Sequence, residues 1–137
     1  MQRPIDQHTA LIFTMMLVAA AEGEMTDAEI ETIGRQVRYL PVFRDFDHTR
    51  LTDVGRDCAE LLRHEDGLEI ACEMIAEALS QPLRETAYAM ACDVAAADGT
   101  LESAELEVLG LLRRRLNVDR LVAAAIERAT YARHAIV

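Results

Sequence analysis

The chain contains no tryptophan, and aromatic residues make up only 4% of its 137 residues. Any core must therefore be built from Leu, Ile, Val, Met and Ala, and the apolar share of 51% is enough to build one. Six Gly and three Pro are too few for a turn-rich β-sandwich, which uses such residues at every hairpin. Positive charge is scarce as well: 14 Lys+Arg face 24 Asp+Glu, a formal net charge of −10. A surface of that sign repels phosphate backbones and anionic lipid, which speaks against nucleic-acid and membrane-surface binding alike. Cysteine is limited to Cys58, Cys72 and Cys92, an odd number without CxxC spacing. Each lies in an apolar helical stretch and reads as a small buried hydrophobe in a reducing compartment.

Long apolar runs are missing too. The stretch from Ala10 to Ala21 (ALIFTMMLVAAA) follows an Arg and ends in small residues, as a secretory signal does. It is shorter than the about 20 residues that a bilayer span needs, so no integral membrane segment is expected. Asp6 occupies the region that a signal keeps positive, and the same pattern recurs deep inside the chain. The stretch is read as a buried helix of a cytoplasmic protein. With no linker, low-complexity tract or composition shift, residues 1–137 are expected to form one domain.

What is present is a repeat. Ala19-Ala20-Ala21-Glu22-Gly23 matches Ala95-Ala96-Ala97-Asp98-Gly99. At the same spacing and without a gap, Met25 falls on Leu101, Ala28 on Ala104, Glu29 on Glu105, Ile30 on Leu106 and Ile33 on Leu109. Both copies read as apolar helix, acid-Gly turn, acidic helix start and second apolar stripe, an internally duplicated helical hairpin. Leu11, Met15 and Val18 share a face, as do Ala87, Ala91 and Val94, with Glu22 and Asp98 at the ends of these stripes. Gly23 and Gly99 stand where a helix closes with a left-handed residue. Thr26-Asp27-Ala28-Glu29 fits a capping box, in which Thr takes an orphan amide and Glu reaches back. Ile30, Ile33 and Val37 continue as the apolar stripe of one copy, and Leu106 and Leu109 as that of the other. The Arg113-Arg114-Arg115 run suits a helix C-terminus.

Between the copies, Pro41 ends the first hairpin and residues 42–49 read as a loop. Thr52 is expected to cap a helix through Arg63 with Val54, Cys58 and Leu61 inward. Asp66 caps another through Leu79, with Ile70, Met74 or Ile75, and Ala78 inward. Ser80 and Pro82 open the helix of the second copy. Asp119 starts a terminal helix with Leu121, Val122, Ala125, Ile126 and Ala129 inward. The sum is an all-α compact bundle of about seven helices.

Glu22 and Asp98 carry the chemical interest. A carboxylate at a helix C-terminus opposes the macrodipole by roughly 0.3–1 kcal/mol, and partial burial adds a desolvation cost. Two compensations are open. The carboxylate can turn onto amides at the start of the next helix, or a hard cation can be held by Asp98, Glu102 and Glu105, with Glu22, Asp27 and Glu29 as the matching set. Oxygen-only donors suit Ca²⁺ or Mg²⁺, and no other cofactor is indicated. The turn is not an EF-hand: positions that must be acidic before Gly99 are occupied by Val94 and Ala96.

The run Val94-Ala95-Ala96-Ala97-Asp98-Gly99-Thr100-Leu101, followed by Glu105 and an apolar helix, resembles the tellurite-resistance TerB-like family. Asp93 matches an acid that the family places there. The likeness in length, helix number and duplicated hairpin covers nearly the whole chain, while the sharp motif is confined to the second turn. The first copy departs from it, with Leu17 at the place of Asp93 and Glu22 at that of Asp98. The resemblance implies an all-α, non-catalytic bacterial domain linked to tellurite or general stress resistance, with divalent-metal binding and docking to a protein partner. Two other classes compete with this reading: a metal-dependent enzyme using the acidic turns, and a purely structural bundle that forms homo-oligomers. The enzyme class is weakened because His8, His48, His64 and His134 are scattered and no nucleophile–base pair is evident.

Overall fold

A computed structural model describes residues 3–21, 23–99 and 103–137. Among them are seven α-helices and no strand: α1 (Gln7–Ala19), α2 (Asp27–Tyr39), α3 (Leu51–Leu62), α4 (Gly67–Ala78), α5 (Gln81–Ala95), α6 (Ser103–Arg115) and α7 (Arg120–Arg133). The all-α bundle expected from the sequence is what forms.

Helix α1 starts earlier than the apolar run because Asp6 caps it, its carboxylate accepting the Thr9 N–H at 2.8 Å. From Thr9 to Ala19 every residue is buried. A helix that is apolar all round can only lie inside, and α1 packs against α2, α3, α4, α5 and α6. Its buried hydroxyl at Thr14 is satisfied internally, donating to Ala10 O at 2.8 Å. Helix α5 is the second central element, touching α1, α2, α6 and α7. No helix among the described residues is long and apolar enough to cross a membrane.

The duplication is carried by the backbone. Each copy's first helix ends at the matched alanine, Ala19 or Ala95, and the second helices run from Asp27 to Tyr39 and from Ser103 to Arg115, the same bounds at the repeat spacing. The buried face of these second helices differs from expectation. Ile30 and Leu106 are about half exposed, at 51% and 52%, whereas Glu29, Ile33 and Val37 in α2 and Glu105, Leu109 and Leu112 in α6 are buried. The core-facing row therefore begins at the glutamate, because that carboxylate is needed at the helix start while Ile30 and Leu106 sit about 100° further round.

The joining segment contains two 3-10 turns, Pro41–Phe43 and His48–Arg50, where a loop was expected. They bring Phe43 and Phe46 into the core, and His8 of α1 stacks on Phe43 while bonding Val42 O at 2.8 Å. Thr52 is not a cap: Asp47 caps the preceding turn by accepting the Thr49 N–H, and α3 continues directly from it. Val54, Cys58 and Leu61 face inward as expected. Asp66 and Ser80 hold cap positions without a side-chain bond, and α4 buries Ala71, Cys72 and Ile75. Arg84 at the head of α5 donates to Ala76 O and Leu79 O, at the end of α4, and to Leu116 O beyond α6. One guanidinium thus satisfies carbonyls that two helix ends leave unpaired. Asp119 caps α7, accepting the Leu121 and Val122 amides, but α7 buries Ala123 and Thr130 and leaves Leu121, Ala125 and Ala129 outside. Its register follows α5, the helix on which it rests, rather than its most apolar stripe.

Gly23 and Gly99 both have positive φ, +110° and +82°. A Cβ at either would meet nothing within 4 Å, so the cost of adding one is backbone strain alone. Gly99→Ala should lower unfolding stability by about 1 kcal/mol in a denaturant titration. An unchanged midpoint would show that the turn does not depend on this conformation.

Candidate functional site

The two acid-Gly turns are built by the same hydrogen bonds. After α1, the N–H groups of Ala20, Ala21 and Gly23 donate to Met16 O, Val18 O and Ala20 O at 2.9, 3.2 and 3.0 Å. After α5, those of Ala96, Ala97 and Gly99 donate to Cys92 O, Val94 O and Ala96 O at 3.0, 3.2 and 3.2 Å. Two alanines thus tighten the last turn, and a glycine with positive φ releases the chain toward the next helix.

At the start of α2 the capping box is complete. Thr26 Oγ1 accepts the Glu29 N–H at 3.1 Å, and Glu29 Oε1 accepts the Thr26 N–H at 2.8 Å. Glu29 is only 4% exposed, so its charge is held by a backbone amide and the positive end of the helix rather than by water. Glu105 occupies the equivalent place in α6 and is 2% exposed. Asp27, the first residue of α2, points to solvent.

Asp98 is exposed, and the partial burial expected for it does not occur. The reason is local: α5 ends at Ala95, so Asp98 lies in the turn and no longer follows the helical stripe. Asp93 does lie within α5, where its Oδ1 pairs with Arg133 of α7 at 2.7 Å. Glu22 and Glu102 lie outside the described residues. Among the described residues, no three His, Cys, Asp or Glu side chains gather in a way that could hold a metal ion. Each proposed cation set includes one residue beyond that description.

A second polar arrangement lies between α5 and α7 and has no counterpart in the sequence motifs. Tyr88 donates its hydroxyl to Glu127 Oε2 of α7 at 2.6 Å. Burial first, and then this bond to a carboxylate, push the Tyr88 phenol well above its ordinary range. Cys92, one turn along, is buried, and burial followed by the charge of Glu127 raises its thiol to about 12. Burial likewise raises Cys72 to about 11 and Cys58 to about 12. All three cysteines are free and buried, so none presents a thiolate near neutral pH.

An all-helical bundle with a duplicated hairpin and two alanine-closed acid-Gly turns defines the class. The chain belongs to the family described as Tellurite resistance protein TerB, whose model matches residues 8–128, nearly its whole length. No curated protein and no solved structure matches it.

Thr26→Ala removes one half of the capping box and leaves Glu29 buried with the other. It should cost about 1 kcal/mol in chemical denaturation, and Thr26→Asp should cost much less. Equal losses for the two would mean that the side-chain oxygen at this position is not what holds the helix start.

Proposed function

We propose that this TerB domain is a non-catalytic, acidic binding module of a cytoplasmic tellurite- or stress-resistance system. It docks to a protein partner and takes up a divalent cation at its second acid-Gly turn. The observation that carries this reading is the pairing, in both copies, of an acid-Gly turn with a buried glutamate at the head of the following helix. In the first copy that glutamate accepts the Thr26 N–H. In the second, Glu102 replaces the threonine, so the turn carries Asp98, Glu102 and Glu105 in place of a neutral cap. These donors are all hard oxygens and fit Ca²⁺ or Mg²⁺. Asp93 is not counted among them, since Arg133 already neutralises it. A bound cation would supply positive charge that lets the three carboxylates approach. The net charge of −10 then favours a basic surface on the partner. Catalysis is left out because the three cysteines are free and buried, and the Tyr88 hydroxyl that meets Glu127 is itself buried with its phenol pushed up.

Thermal melting with added Ca²⁺ or Mg²⁺ tests the cation. A ligand at about 100 times its Kd adds about 2.7 kcal/mol to the folded state. The wild type should therefore melt at a higher temperature with cation, and Asp98→Asn should not respond. Equal responses in the two proteins would remove the turn as a cation site and leave it a structural cap.

A further inference from the structure

The two copies share a backbone but differ where α5, α6 and α7 meet. At the repeat spacing, Ile12 corresponds to Tyr88, Met16 to Cys92 and Val37 to Arg113. In the first copy all three are packed in the core, at 0%, 8% and 1% exposed. In the second copy Tyr88 and Cys92 remain buried, at 2% and 5% exposed, and form the floor of a groove of about 820 Å³ between α5, α6 and α7, while Arg113 is partly exposed on its wall. Its lining is mainly apolar and includes Ala96, Leu109 and the bare backbone at Gly110. Leu106, Tyr131 and Ile136, exposed by 52%, 67% and 95%, stand along it. Three of the molecule's large exposed apolar side chains therefore converge on one depression, which is where such residues mark a binding surface.

Its charge is specific. Arg113 lines the groove half-buried, and among the described residues it makes no ion pair. Its neighbour Arg115 is drawn away to Glu69 of α4, and Arg133 is held by Asp93. Glu127 also lines the groove, with one oxygen taken by the Tyr88 hydroxyl. Its carboxylate repels any ligand anion, so such a group has to sit at Arg113 and away from Glu127. A volume of this size lies in the range of small-molecule sites, about 300–1,000 Å³.

We propose that the groove binds a single-chain, monoanionic amphiphile of the fatty-acid class. The carboxylate pairs with Arg113, and the chain lies over Leu109, Ala96 and Leu106 toward Tyr131. The groove reaches Gly99 of the second acid-Gly turn, but the proposed contacts use none of the carboxylates of the proposed cation set.

The test is titration calorimetry with decanoate and dodecanoate below their micelle concentrations and dodecanol below its solubility limit, in the presence of a chelator so that no divalent cation takes part. Dodecanoate should bind one to one, and each methylene removed should weaken binding by about fourfold. Arg113→Val, which restores the residue of the first copy, should weaken dodecanoate at least tenfold and leave dodecanol unchanged. Arg113→Gln should behave in the same way if the valine variant does not fold. The proposal is overturned by absence of saturable binding, by equal dodecanoate affinity in wild type and variant, or by a groove that a second copy fills. That last case would be seen as concentration-dependent dimerisation abolished by Leu106→Asp.

Discussion

Everything in this molecule is arranged around the complete burial of α1. From Thr9 to Ala19 the helix offers no polar face, so water must be excluded on all sides at once. Five other helices supply that cover, and each needs only one apolar face to do so. The acidic residues are thereby pushed outward or to helix starts, where amides receive them. The chain's large negative charge is compatible with a dense core because, among the described residues, only Glu29 and Glu105 carry buried carboxylates.

Buried glutamates at matched places, of which Glu29 is seen to cap its helix, explain why the duplication remains visible. A helix start facing the core needs its orphan amides satisfied, and a glutamate three residues past the cap is one of the few side chains that reach back to do so. The alanine-closed turn and positive-φ glycine fix where that start falls. Away from the turns the copies are free to diverge, and they do so along one line: apolar Ile12, Met16 and Val37 fill the core, while their counterparts Tyr88 and Cys92, also buried, and the partly exposed Arg113 line the groove beside α7. The clasp from Tyr88 to Glu127 and the pair between Asp93 and Arg133 hold α7 on α5 by polar contacts, in contrast to the apolar packing around α1.

Much of this was legible from residues alone. Helix periodicity, the capping box at Thr26 and the glycines at both turns were readable because each depends on neighbours in sequence. The misread positions depend on contacts between distant elements. Ile30 and Leu106 looked like core because they are apolar, yet the face is set by the glutamate one position earlier. Leu121 and Ala125 of α7 looked inward, but its register is chosen by α5. Asp98 was placed on a helical stripe that in fact ends at Ala95. The candidate site was readable as a pair of turns, and its pairing of Asp93 with Arg133 across forty positions of chain was not. The groove had a signal, the polar substitutions between copies, that becomes meaningful only once α7 is seen lying over them.

The central claim is that burial of α1 holds the fold together, and native-state hydrogen exchange measures it most directly. Amides of α1 should exchange only through global unfolding, with a free energy equal to that from denaturant titration. Those of α7, which rests on α5 alone among the major packing pairs, should exchange through a smaller opening. Exchange of α1 at a lower free energy than α7 would contradict the account.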